Sequence, residues 1–179
     1  MDSKKDKLYE SWRTEGSYFS QMLDCGGNYN PWVQIALYYL PKEILDEHKD
    51  SLVFVSTAQK DGSRLARKTC ESREIILLSE RILPKLNARE NQPEVRYFIY
   101  VVLHEVAHAI KKHKSPIFDN LTAEEVKVQE EEANKIALDW FNQYIEEKGN
   151  PHLKPLTIEE IESEQEKNRE LMKKLYEGD

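Results

Sequence analysis

The chain has 179 residues, 39% of them hydrophobic and 33% charged, enough for one domain with a real core. Its net charge of −7 argues against a general nucleic-acid binder, because phosphate contacts need a basic surface. The opening run Met1 to Lys7 is too polar for a signal peptide, and the most apolar stretches, Trp32 to Leu40 and Phe98 to Leu103, are too short to span a bilayer. A cytoplasmic protein that engages neither nucleic acid nor membrane is therefore expected, with Cys25 and Cys70 as free thiols.

Residues 1–30 are polar and are expected to form an N-terminal arm, a short helix or extension followed by a loop at Cys25-Gly26-Gly27-Asn28. Trp32 to Leu40 is apolar and stops at Pro41; Pro41 to His48 predicts a short helix with proline in its first turn. Ser51 to Ser56 is β-branched and of strand length, and Asp61-Gly62 after it is a turn signal. A second strand is expected from Arg73 or Glu74 to Ser79. The basic segment between the strands, holding Arg64, Arg67, Lys68 and Arg73, reads as a solvated loop.

Three helices follow. Asn91, with Pro93 in the first turn and Glu94 at the capping-box position, is expected to open a helix running through about Ile110. Thr122 with Glu125 opens a second, reaching about Ile145, and Gly149-Asn150-Pro151 breaks the chain after it. Thr157 with Glu160 opens the last, over 157–177, charged apart from a thin stripe of Ile158, Ile161, Leu171 and Leu175. That pattern suits a helix lying on the surface of the domain.

The chemistry lies in the first of these helices, at His104-Glu105-Val106-Ala107-His108. Histidines four apart project from one helical face, one turn from each other, so a single tetrahedral metal can take both imidazoles. Glu105 lies about 100° further round, close to such a metal without pointing at it. That is the position of a general base that takes a proton from metal-activated water, and Zn2+ is the expected ion. A catalytic zinc site needs a third protein ligand. Lys111 and Lys114 stand where a glycine and a third histidine would extend the motif along the same chain. His113, projected along the helix, lies about 140° from His108 and faces elsewhere. A glutamate from the second helix, in the run Glu130-Glu131-Glu132, remains.

The HEVAH run followed by Glu130-x-Glu132-Ala133-Asn134 resembles the gluzincin metallopeptidases, of which the ImmA/IrrE-type and small stand-alone members are the nearest kinds. The resemblance covers about residues 51–145. It implies an α+β, zincin-like fold: a short antiparallel or mixed sheet packed on the HExxH helix and on a second, ligand-bearing helix. It also implies His104, His108 and Glu130 as zinc ligands, Asn134 as support for a zinc-binding histidine, and the strand Glu74 to Ser79 as the sheet edge along which a peptide lies. The helical neighbours of Glu130 agree with that assignment: Ala133, Ala137 and Phe141 form a small apolar face suited to packing on the HEVAH helix, whereas Glu131 shares its face with Glu124, Lys127 and Lys135.

The whole chain is thus expected to be one domain, residues 1–179, with its catalytic core at 51–145. Its expected activity is hydrolysis of a peptide or protein substrate, with Glu105 as base and Tyr144 or His113 as conceivable oxyanion donors. A metal-stabilised binding or regulatory module with little hydrolysis is the alternative, and a site closed by a fourth protein ligand would favour it. Cys25, flanked by glycine, could supply such a ligand from the arm and hold an enzyme latent. The sequence leaves the oligomeric state open.

Overall fold

The structure is a computed structural model that describes residues 23–24, 30–48, 51–57, 62–65, 74–85, 87–116, 119–149 and 152–177. Nearly all of the expected N-terminal arm, together with Cys25, Cys70, Arg67, Lys68 and Arg73, lies outside these residues. The elements run β1 (Leu23–Asp24), α1 (Asn30–Leu37), α2 (Lys42–His48), β2 (Leu52–Thr57), β3 (Gly62–Leu65), β4 (Glu74–Ser79), α3 (Pro93–Lys111), α4 (Ala123–Lys148) and α5 (Ile158–Glu177). The protein is a helix-rich α+β structure around one hydrophobic core.

The sheet has four strands in the order β1-β2-β4-β3. β2 and β4 pair in parallel, with Phe54 opposite Ile76 and Ser56 opposite Leu78. Leu52, Phe54, Ile76 and Leu78 are buried at every second position, so one face of this pair meets the helices. β3 pairs antiparallel to β4, Arg64 opposite Ile76. The sheet is therefore mixed, and the wholly antiparallel alternative does not hold. Two further expectations fail with it. Arg64 belongs to a short strand rather than a loop, and β4 is paired on both sides, so Glu74 to Ser79 is not a sheet edge. The reason is apolar content: the Ile75 to Leu78 run takes the interior, and the polar, glycine-started β3 takes the outside, where a charged residue discourages stray pairing.

α3 is the centre of the molecule. Val95 to Leu103 are all buried, because α1, α4, β3, β4 and the start of α5 pack around this helix. Its N-cap is Gln92, with Pro93 at the first helical position, rather than Asn91. The Gln92 side chain accepts from the Arg89 N–H at 2.7 Å instead of capping forward. Pro41 likewise stands just before α2, its carbonyl accepting the Leu45 N–H. The expected capping box at the start of α4 is present: Thr122 accepts from the Glu125 N–H, and the Glu125 carboxylate from the Thr122 N–H. Thr157 and Glu160 make the same reciprocal pair before α5. The beginning of α5 is held down. Leu156 and Ile161 are buried, while Ile158 and Leu171 are exposed.

Arg96 ties that beginning to α3. Its guanidinium, buried among the helices, donates to the carbonyls of Lys154 (2.7 Å) and Pro155 (3.0 Å) and pairs with Glu160 at 3.0 Å. Among the described residues no helix is long and apolar enough to cross a membrane.

Candidate metal centre

α3 and α4 pack side by side, and one face of each carries polar side chains into the contact. On α3 the row is Tyr100, His104 and His108, spaced one turn apart. On α4 the opposing row is Asn134 and Glu130. The structure brings His104, His108 and Glu130 together. Their donor atoms lie close together: Nε2 to Nε2 is 3.0 Å, and the Glu130 carboxylate meets the two imidazoles with different oxygens, Oε2 at 3.3 Å from His104 Nε2 and Oε1 at 3.5 Å from His108 Nε2. A tetrahedral ion with bonds of about 2.0–2.1 Å holds its ligand atoms about 3.3 Å apart. The separations are close to that spacing, and two imidazoles with a carboxylate are a donor set that a divalent ion accepts. The identity of the ion does not follow from these distances.

Hydrogen bonds from His104 and His108 hold the Glu130 carboxyl far below the usual carboxylate range, against the opposing effect of its own partial burial. His108 is shifted the other way from a protonated partner: burial lowers its pKa despite the Glu130 hydrogen bond, with the neighbouring His104 and His113 adding to the lowering. His104 Nδ1 is buried with no hydrogen-bond partner among the described residues. The cluster is enclosed on the histidine side, where each imidazole side chain is 12% exposed, and open on the Glu130 side, where the side chain is 50% exposed. Among the described residues the ligand group has three members, with this solvent-facing side left over.

Glu105 is 7% exposed on α3, beside His104. Burial, with the charges of Glu130 and then Glu105 adding to it, pushes the Tyr100 hydroxyl well above its ordinary value, so Tyr100 stays protonated. That hydroxyl donates to Asn134 Oδ1. Asn134 is thus held by Tyr100, whose ring lies 5.8 Å from that of His104, and it makes no direct bond to a histidine. The support implied for it is at best indirect. Tyr100 itself carries no motif signal. Only its place one turn before His104 could have drawn attention to it.

The three consecutive glutamates separate as helical geometry requires. Glu130 turns to the two histidines. Glu131 faces solvent and pairs with Lys127 at 3.8 Å. Glu132 reaches Lys111 Nζ at 2.7 Å and His113 Nε2 at 3.3 Å.

Two expectations about other residues are corrected. Tyr144 is not near the ligands. It lies roughly 20 Å further along α4, at about 1.5 Å per residue, where its ring stacks on Tyr39 with centroids 4.0 Å apart. His113 does not face elsewhere, since its Nδ1 is 2.9 Å from His108 Nδ1. Projecting its direction along the helix fails because the helix stops first. Lys112 adopts the left-handed conformation (φ 56°), and the His113 N–H closes back onto the His108 carbonyl at 3.1 Å. The basic run Lys111-Lys112 and Pro116 soon after were the signals that the helix would stop there. Cys25 lies outside the described residues, and so does any latch built on it.

Compared with known proteins, the chain matches no family model, no curated protein and no solved structure.

Proposed function

We propose that this protein is a zinc-dependent peptidase of the gluzincin kind, with His104, His108 and Glu130 as metal ligands and Glu105 as general base. The observation that carries the reading is the three-donor group with one solvent-facing side, set beside a buried glutamate that is not one of its members. A purely structural zinc site is closed by four protein ligands and has no use for a neighbouring base.

Zinc bound there would supply Lewis acidity, polarising a carbonyl and making water more acidic. The protein's own parts divide the remaining work. The α3–α4 contact holds the two imidazoles and Glu130 in register. Glu105, next to the first histidine and shielded from bulk water, takes a proton from the attacking water and returns it to the leaving amine. The half-exposed Glu130 side is where an extended peptide has access, and a peptide or protein is the proposed substrate.

The test is a proteome-derived peptide library digested with zinc-loaded wild type and with Glu105→Gln. An amide keeps the shape and cannot take the proton, so wild type should cleave and the variant should lose about 10³-fold or more in rate while keeping its zinc. A fully active Glu105→Gln would remove Glu105 from the base role. If neither protein cut any peptide, the binding-module reading would replace this one.

A further inference from the structure

The hook that ends α3 has a chemical consequence at the far nitrogen of His108. Nε2 of His108 faces His104 and Glu130, so a bound metal takes that nitrogen's lone pair. The ring's proton must then sit on Nδ1, which is 2.9 Å from Nδ1 of His113. For this contact to be a hydrogen bond, His113 Nδ1 must be bare and accept. The His113 proton is then on Nε2, where the Glu132 carboxylate accepts it at 3.3 Å. Each tautomer fixes the next, and only one assignment satisfies all three groups at once.

The parts of this chain are held in place by contacts of their own. His113 is 8% exposed, and its backbone closes on the His108 carbonyl. The residue after it is docked on α4, where the Lys114 N–H donates to Gln129 Oε1 at 2.7 Å and the Gln129 amide donates back to the Lys114 carbonyl at 3.4 Å. Glu132 is steadied from the other side by Lys111. The left-handed Lys112 makes this hook without glycine, a conformation uncommon for a side chain of that size.

We propose that His113 and Glu132 form a positioning relay that sets the tautomer and ring orientation of His108, presenting its Nε2 to the metal. The inference rests on the metal centre proposed above. Neither His113 nor Glu132 is a ligand. They act through His108, as outer partners of metal-bound histidines do elsewhere by fixing the ring and raising its basicity.

The experiment uses the full chain and zinc alone. Zinc affinity is measured by competition with a chromophoric chelator for wild type, His113→Leu and His113→Asn. Leucine keeps the apolar bulk and loses the acceptor, whereas the asparagine oxygen can stand where Nδ1 stood. The relay predicts a loss of about 10- to 100-fold for His113→Leu, with most of it restored by His113→Asn. A packing role predicts the reverse order. Alongside, a two-bond nitrogen–proton correlation spectrum of zinc-loaded wild type reads the tautomers directly, and so remains decisive if a variant fails to fold. It should show His113 protonated on Nε2 and His108 on Nδ1. A His113→Leu affinity equal to wild type, or a proton on His113 Nδ1, would overturn the relay and leave the metal centre standing. No zinc uptake by wild type would overturn the metal centre, and the relay with it.

Discussion

α3 carries two buried polar clusters, and they are built on opposite principles. At Arg96 three donations of the guanidinium end on protein: two carbonyls of the segment before α5, and Glu160. At His104 and His108 the two Nε2 atoms face each other and the Glu130 carboxylate, and one further ring nitrogen, His104 Nδ1, is buried with no partner among the described residues. The first cluster is complete as it stands and ties two elements together. The second offers three donors that could hold a cation. A buried polar group thus reads as structural or as ligand-binding by where its donors and acceptors end, not by how deeply it is buried.

Removing the charge from the first cluster should affect stability alone. Arg96→Met keeps the length of the side chain and leaves the Lys154 and Pro155 carbonyls without their donor. The expected cost is about 2 kcal/mol, read by urea denaturation, with zinc affinity unchanged. A variant of wild-type stability, or one that lost zinc instead, would show that the two clusters are not separable.

The second cluster should respond to pH in the metal-free protein. The His108 pKa is lowered from its ordinary value of 6.5, so the unfolded chain binds more protons than the native one just below that value. The stability contribution of neutral, buried His108 is then fully present above 6.5 and lost as the pH falls through the native-state value. Glu130 has the same sign at more acid pH, since its carboxyl is lowered from 4.5. Denaturation midpoints of zinc-free protein should therefore fall as the pH drops from about 8 to about 5. This is a smaller effect than the loss of Arg96, and a midpoint that rose over that interval would contradict it.

The two clusters also differ in what the sequence disclosed. The faces that meet in the His104, His108 and Glu130 cluster were legible because helical spacing is a local property: His104 and His108 share a face whatever surrounds them, and so does Glu130 with Ala133 and Ala137. The capping boxes at Thr122 and Thr157 were legible for the same reason, each needing only residues three apart. Arg96 was not, because its partners Lys154, Pro155 and Glu160 lie far along the chain. His113 was missed where a local rule was carried past its end, since one left-handed residue at Lys112 redirects the side chain completely. The sheet fell between these cases. β2 and β4 were found from their apolar runs to within a residue or two, but their order, with β4 inside and Arg64 on a separate outer strand, depends on non-local pairing that periodicity does not encode.

The most direct test of the metal centre is a zinc titration of the purified, metal-stripped chain against a chromophoric chelator, run in parallel on wild type, Glu130→Gln and Glu131→Gln. Wild type and Glu131→Gln should each take up a single ion with the same affinity, because Glu131 faces solvent beside Lys127. Glu130→Gln should bind about 100-fold more weakly or worse, a charged ligand having been replaced by a poor one. Equal affinity in all three proteins, or no uptake by wild type, would contradict the assignment of His104, His108 and Glu130 as a metal site.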